Sequence, residues 1–280
     1  MNIEAITRTE YLLSAVAIFL VACGPTANPE SAAVLQESNA PAADEVHWGY
    51  KGEGAPEHWA DLDSDFALCR DGSEQSPIDL TAAVPIEDAG IERRLGETVL
   101  TVEQRAHVMD IVDNGHTIQV TNDAPMTIEL GGNVYELVQY HFHAPSEHTI
   151  DGEHAPLEAH FVHKSAIGEL AVFGVLIEEG EHNVILEPVI AALPQGSGDS
   201  RHVEGLELDM NELSPLPQRY FRYEGSLTTP PCSEAVQWLV MADKRQISAE
   251  QMAALVSHLH RNNRPVQPVG DRMIGLVLRD

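Results

Sequence analysis

Basic side chains are scarce in this sequence: sixteen Lys and Arg stand against forty-four Asp and Glu over 280 residues, for a formal charge of −28. A nucleic-acid surface needs cations opposite phosphates, so the balance excludes that class of partner. The acidity reads instead as a well-solvated exterior. Cysteine is confined to three residues, Cys23, Cys69 and Cys232. Long apolar runs are lacking too, because the Tyr11 to Ala22 stretch is too short to span a bilayer. No internal repeat is visible, no linker interrupts the chain after Trp48, and helical periodicity is sparse.

What is present begins with a targeting segment. Residues 11–22 have the length of a secretory signal, and Leu20-Val21-Ala22-Cys23-Gly24 resembles a bacterial lipoprotein cleavage box with Cys23 as the lipidated residue. The expected division is a signal peptide over 1–22, a flexible tether rich in Ala, Pro, Ser and Glu over 23–45, and one domain over 46–280. Such a protein is exported, periplasmic or at the cell surface, and meets the membrane only through an N-terminal lipid anchor. In that oxidising setting Cys69 and Cys232 form a disulfide. It closes a loop of 163 residues, worth at most about 5 kcal/mol in a chain-entropy account.

With 43% hydrophobic residues the chain can bury a sizeable core. Strand-like alternation or β-branched runs occupy 98–102, 107–112, 117–121, 126–130, 133–143, 157–163, 170–178 and 235–244. Asn114-Gly115, Gly131-Gly132, Asp151-Gly152 and Glu179-Gly180 supply turns between them. Two helices are expected: 182–193, interrupted by Pro188, and 248–260, opened by a capping box of Ser248 and Gln251. The sequence therefore predicts a single, mainly β domain with a few short helices.

The stretch Gln139-Tyr140-His141-Phe142-His143 stands out among fourteen histidines. Strict alternation from residue 133 puts Tyr135, Leu137, Gln139, His141 and His143 on one strand face, with Val138, Tyr140 and Phe142 toward a core. Two imidazoles on one face, roughly 7 Å apart along the strand, can reach one cation between them. A neighbouring strand over 157–164 offers a third ligand, either His160 or His163, which lie on its opposite faces. His258 and His260 share the two-residue spacing, but on a helix such positions diverge.

Eight short words in order resemble the α-class carbonic anhydrases from Trp48 to Leu278: His47-Trp48-Gly49-Tyr50, Gln75-Ser76-Pro77-Ile78-Asp79, Asn114-Gly115-His116, Gln139 to His143, Ser146-Glu147-His148, Glu158-Ala159-His160-Phe161-Val162-His163, Gly225 to Pro231, and Arg264-Pro265-Val266-Gln267. The resemblance implies a large twisted, mostly antiparallel sheet carrying an active-site cleft. It implies Zn2+ held by His141, His143 and His160, with Gln139 and Glu158 as partners for the outer ring nitrogens. It further implies reversible hydration of carbon dioxide to bicarbonate by zinc-bound hydroxide. Thr228 would orient that nucleophile by donating to Glu147, and Thr229 would contact bicarbonate or water. Val162, Val172, Leu227, Val236 and Trp238 would form the apolar wall for CO2. His116 matches the proton shuttle, with Tyr50 and Asn114 ordering the intervening water. The reading allows a homodimer.

Overall fold

Alternating and β-branched residues from the hundredth position onward pair into one wide sheet. A computed structural model of the chain describes residues 46–86, 100–103, 106–122, 126–208 and 219–278. The expected signal segment, Cys23 and the tether lie outside the described residues. The strands are β1 (Val84–Pro85), β2 (Leu100–Glu103), β3 (Ala106–Asp113), β4 (Ile118–Asn122), β5 (Thr127–Leu130), β6 (Asn133–His143), β7 (Thr149–Ile150) and β8 (Glu153–His154). They continue with β9 (Leu157–Ser165), β10 (Leu170–Glu179), β11 (Ser200–Leu208), β12 (Arg219–Ser226), β13 (Glu234–Met241), β14 (Arg245–Ile247) and β15 (Gly275–Leu278). The sheet runs β1-β15-β12-β13-β10-β9-β6-β4-β3-β11, with β14 on β10 and β5 joining β2 to β6, while β7 and β8 form a separate hairpin. Among the described strands, β1–β15, β10–β13 and β10–β14 are parallel and the other pairings antiparallel.

β10 shows why a core forms on both sides. Its run Leu-Ala-Val-Phe-Gly-Val-Leu-Ile is apolar without alternation, as a strand covered on two faces requires. Ala171, Phe173, Val175 and Ile177 join the larger core with Tyr140, Phe142 and Phe161. Val172 and Leu176 join a second cluster with Val236 and Trp238.

Among the described residues four short α-helices accompany the sheet: α1 (Trp59–Leu62), α2 (Leu68–Asp71), α3 (Glu187–Ala191) and α4 (Ala249–Leu259). The capping box at Ser248 and Gln251 is present on α4, which buries Met252, Leu255 and Leu259 in the larger core. His258 and His260 diverge as helical spacing requires: His258 Nε2 lies 3.1 Å from Pro194 O, and His260 leaves the helix with a φ of 47°. The expected helix over 182–193 shortens to α3. Pro188 sits in its first turn, where a missing N–H is harmless. Upstream, Asn183 Oδ1 accepts from the N–H groups of Ile185 and Leu186 and forms a turn instead.

β6 corrects the assignment of faces. Its pairing with β9 slips between Leu137 and Gln139, leaving Val138 as an extra residue 48% exposed. Tyr135 and Leu137 therefore point into the larger core beside Tyr140 and Phe142, not toward the histidines. A β-bulge reverses alternation at one point, which strict period-two counting does not detect. The run expected over 235–244 ends earlier, with β13 at Met241, and a separate strand, β14, follows it along β10. β1, β7, β8, β11, β12, β14 and β15 fall outside the strands expected from the sequence.

Candidate metal centre

Antiparallel register brings the histidines together. His141 on β6 lies opposite His160 on β9, and His143 lies opposite Glu158. Beyond the bulge, His141 and His143 share the face away from Phe142. The three rings sit with centroids 5.0, 5.3 and 4.6 Å apart, and one nitrogen from each lies within 4.8 Å of the others.

Each ring is held by its other nitrogen. His141 Nδ1 is 2.8 Å from Gln139 Oε1, His143 Nδ1 is 2.8 Å from the carbonyl oxygen of Asn262, and His160 Nε2 is 3.0 Å from Glu158 Oε1. These acceptors fix the tautomers and turn His141 Nε2, His143 Nε2 and His160 Nδ1 toward a common point. Burial pushes the His143 imidazole down to about 4 and lowers His141 and His160, so the rings stay neutral and ready to donate. His143 Nε2 is buried with no hydrogen-bond partner among the described residues. Such an orphaned atom facing two further imidazoles is what a bound divalent cation would satisfy.

Glu158 anchors a second set of contacts. Its Oε2 accepts from the N–H groups of Glu147 and His148 at 2.8 and 2.9 Å, and His148 Nδ1 lies 2.7 Å from Oε1. His148 Nε2 continues to Tyr223 Oη at 2.6 Å, and Tyr223 to Ser76 Oγ at 3.0 Å. Both nitrogens of His148 are thereby engaged, so it supports the site and does not ligate. Burial alone would raise Glu158, but the imidazoles of His148 and His160 hold its carboxyl well below the usual range. Two glycines make room for these groups. A Cβ on Gly174 would lie 3.0 Å from Glu158 Oε1, and one on Gly225 would lie 2.2 Å from Ser76 Oγ.

Glu147 completes the centre. Its Oε1 accepts from Arg264 N at 2.8 Å, and its Oε2 lies 3.6 Å from His143 Nε2 and 3.9 Å from His160 Nδ1. Burial pushes this carboxyl up to about 7, against the pull of His160, the Arg264 N–H and the Thr228 hydroxyl. Thr228 is buried while Thr229 is partly exposed, and Thr229 O accepts from Cys232 N at 2.8 Å. Cys69 and Cys232 are bonded, which ties this turn to α2. The Arg264 guanidinium spans the same region, donating to Gln75 Oε1, Ser76 O and Cys69 O.

Val172, Val236 and Trp238 lie in one buried cluster, with Val162 and Leu227 packed against it. Trp238 stands 4.9 Å from the His160 ring, so this apolar wall borders the centre. His163 faces the other way, buried with Nδ1 2.9 Å from Phe161 O. His116 is partly buried and stacks on Trp48, with centroids 4.0 Å apart. It is joined to the centre through Asn262, whose Nδ2 donates to His116 O and to Phe142 O. Asn114 Oδ1 accepts from the N–H groups of His116 and Thr117, so it shapes the turn that carries the ring. Tyr50 packs against Trp48 and Trp59; burial, then nearby Glu147, raise its phenol well above the ordinary value.

Sequence reasoning gave no role to Asn262, His148 or Arg264. His148 and Arg264 stood inside recognised words. Asn262 holds His143 through its backbone carbonyl, which no residue pattern encodes, and reaches His116 O and Phe142 O through its side chain.

A family model described as eukaryotic-type carbonic anhydrase matches residues 54–277. The chain belongs to this family. A carbonic anhydrase of Pectobacterium carotovorum is 40% identical over 237 residues, covering 84% of this chain and 93% of that protein. One from a Nostoc strain is 39% identical over 229 residues, covering 82% and 85%. Among solved structures, the α-carbonic anhydrase of Thermovibrio ammonificans with the inhibitor sulfanilamide superposes at a TM-score of 0.75, with 39% identity over 82% of this chain and 99% of that one. A dioscorin complexed with ascorbate reaches 0.73 at 28% identity, covering 84% and 99%. The carbonic anhydrase fold thus carries more than one named protein, and the site must argue the activity.

Proposed function

We propose that the chain is a zinc enzyme catalysing the reversible hydration of carbon dioxide to bicarbonate and a proton. The observation that carries this reading is the convergence of three imidazoles, His143 and His160 buried and His141 partly so, each with an oxygen within 3.0 Å of its outer nitrogen. His141, His143 and His160 would hold the ion, and three neutral nitrogen donors favour zinc. Bound there, zinc supplies Lewis acidity that brings water to a pKa near 7, a figure general to carbonic anhydrases.

The other steps fall to the chain's own residues. With Glu147 as acceptor, Thr228 Oγ1 commits its proton to the carboxylate and is left accepting toward the reacting centre. That directs a lone pair of the nucleophile at the substrate carbon. Val162, Val172, Leu227, Val236 and Trp238 offer an uncharged wall suited to CO2, and Thr229 offers a hydroxyl to bicarbonate. His116 takes the released proton outward through water ordered by Tyr50 and Asn114.

The same reading places the protein outside the cytoplasm, held by a lipid on Cys23. Its supports are the Leu20 to Gly24 box and the Cys69–Cys232 disulfide.

Elemental analysis paired with stopped-flow CO2 hydration tests the proposal. We expect one zinc per chain, loss of hydration on chelation and recovery with zinc alone; an active metal-free preparation would refute it. His116→Ala should lower kcat about tenfold in dilute buffer and spare kcat/KM, and equal loss in both would remove His116 from the relay.

A further inference from the structure

The segment that follows α4 divides its residues between two tasks. Asn262 and Arg264 are buried to 1% exposure and hold the centre: Asn262 O lies 2.8 Å from His143 Nδ1, and Arg264 N donates to Glu147 Oε1 at 2.8 Å. Arg261, Asn263, Pro265 and Val266 instead line a cavity of about 370 Å³. The rest of the lining comes from Tyr50, Lys51, Pro56 and Glu57 at the start of the domain and from His154 on β8. His116 takes no part in it. His154 Nδ1 lies 2.6 Å from Ser146 O, one residue before Glu147. The cavity and the centre thus share their supporting backbone.

Two cations of this lining serve nothing inside the protein. Lys51 and Arg261 make no ion pair and no side-chain hydrogen bond among the described residues, and the Asn263 side chain makes none either. Elsewhere on the surface Arg70, Arg219 and Lys244 each meet a carboxylate, as a chain with forty-four acidic side chains readily allows. Glu57, the one carboxylate of the lining, pairs with neither cation. Arg261 takes a φ of 59°, a left-handed conformation that residues other than glycine seldom adopt. A cation just past α4 complements the helix dipole. That does not explain Lys51, which arrives from the other end of the domain.

We propose that this cavity binds a small monocarboxylate with an apolar body, and that occupancy steadies the segment holding His143 and Glu147. Lys51, Arg261 and Asn263 offer donors to one carboxylate, a guanidinium matching its two oxygens. Glu57 opposes a second negative charge. Tyr50, Pro56, Pro265 and Val266, the last 43% exposed, offer the apolar surface. The volume falls at the small end of ligand pockets, which run from about 300 to about 1,000 Å³. A ligand bridging Lys51 and Arg261 binds only while the two segments stay in place, so it disfavours their opening. The binding stands on these residues alone; its effect on metal retention rests on His143 being a ligand, as proposed above.

Amide NMR titration of the zinc-loaded protein with benzoate, at constant ionic strength, tests the binding. Saturable shifts should centre on Lys51, Glu57, Asn263 and Val266. Acetate, which lacks the apolar body, and benzamide, which lacks the charge, should each need about tenfold more to saturate. Lys51→Ala combined with Arg261→Gly removes both charges and keeps the left-handed turn, and should raise the benzoate Kd about fivefold or more. Shifts that never saturate, or that centre on Thr228 and Thr229 and ignore the double variant, overturn the site. Equal saturation by acetate and benzoate overturns the apolar half of the assignment. At saturating benzoate the rate at which EDTA strips zinc should fall about threefold in the parent and not in the double variant. Saturable binding with an unchanged stripping rate overturns the coupling. A chain that takes up no zinc overturns the metal reading and the coupling together, and titration of that same chain still decides the cavity.

Discussion

His160 and His163 lie three residues apart on β9, both buried to about 1% exposure, and they enter two different worlds. His160 has Glu158 3.0 Å from one nitrogen and Glu147 3.9 Å from the other, with two more imidazoles beside it. His163 has one backbone carbonyl at 2.9 Å, and its Nε2 meets no hydrogen-bond partner among the described residues. Burial lowers both pKa values, but for His160 the two carboxylates pull back upward. Burial alone therefore does not make a histidine a ligand. Nor does an acceptor on one nitrogen, which His163 also has; what sets His160 apart is that its ring converges with two further imidazoles on a site able to hold a metal ion.

The sharpest way to break this contrast is to exchange the two roles. His160→Ala should abolish stoichiometric zinc binding and lower hydration by roughly four orders of magnitude or more. His163→Leu should keep one zinc per chain and stay within about threefold of the parent rate, while losing about 1–2 kcal/mol for the unpaired Phe161 carbonyl. Comparable activity losses in the two variants, measured by stopped flow with zinc assayed on the same samples, would show that the strand faces had been misassigned.

A smaller effect separates holding the metal from using it. Thr228→Ala leaves all three imidazoles and their acceptors in place, so zinc content should not change. Without the hydroxyl aimed by Glu147, kcat/KM should fall about 10²- to 10³-fold, the usual scale for one preorganised hydrogen bond at a reacting centre. Thr228→Ser should recover most of it. A Thr228→Ala protein with near-normal kcat/KM would detach the Glu147–Thr228 pair from the chemistry and leave Glu147 as a buried acid serving Arg264 alone.

Much of the site was legible because local spacing and short words carried it. The two-residue step from His141 to His143, the outer-nitrogen partners Gln139 and Glu158, and the bounds of β6 all follow from side-chain alternation. The bulge at Val138 was not legible, since an inserted residue changes the facing of Tyr135 and Leu137 without altering the apolar pattern. The third tether was hidden for another reason. His143 is held by the carbonyl of a residue 119 positions away, and every residue type carries a carbonyl. The hydrogen bond from His148 to Tyr223 spans 75 positions and depends on β12, whose run Arg219-Tyr220-Phe221-Arg222-Tyr223 does not alternate because four successive side chains are buried. Local chemistry was visible in the sequence, whereas pairings made by the sheet needed the sheet.

The smallest effect concerns stability, and it tests the apolar side of the comparison. Burial pushes the His163 imidazole down to about 4, against the Phe161 carbonyl, which favours the charged ring. An unfolded histidine titrates near 6.5, so between the two values the unfolded chain binds more protons than the folded one. This contribution is complete above about pH 6.5 and is lost as pH falls toward 4, where it levels off. Going from about pH 7 to about pH 4.5, His163 alone should cost roughly 2–3 kcal/mol of unfolding free energy. His163→Leu removes the titrating group, so its acid-induced loss in urea unfolding should be smaller than the parent's by that amount. The other buried histidines titrate in both proteins and cancel in the difference. Identical acid sensitivity in the two would mean that His163 reaches a charge-stabilising partner in the folded state, and the distinction between the two faces of β9 would have to rest on the metal alone.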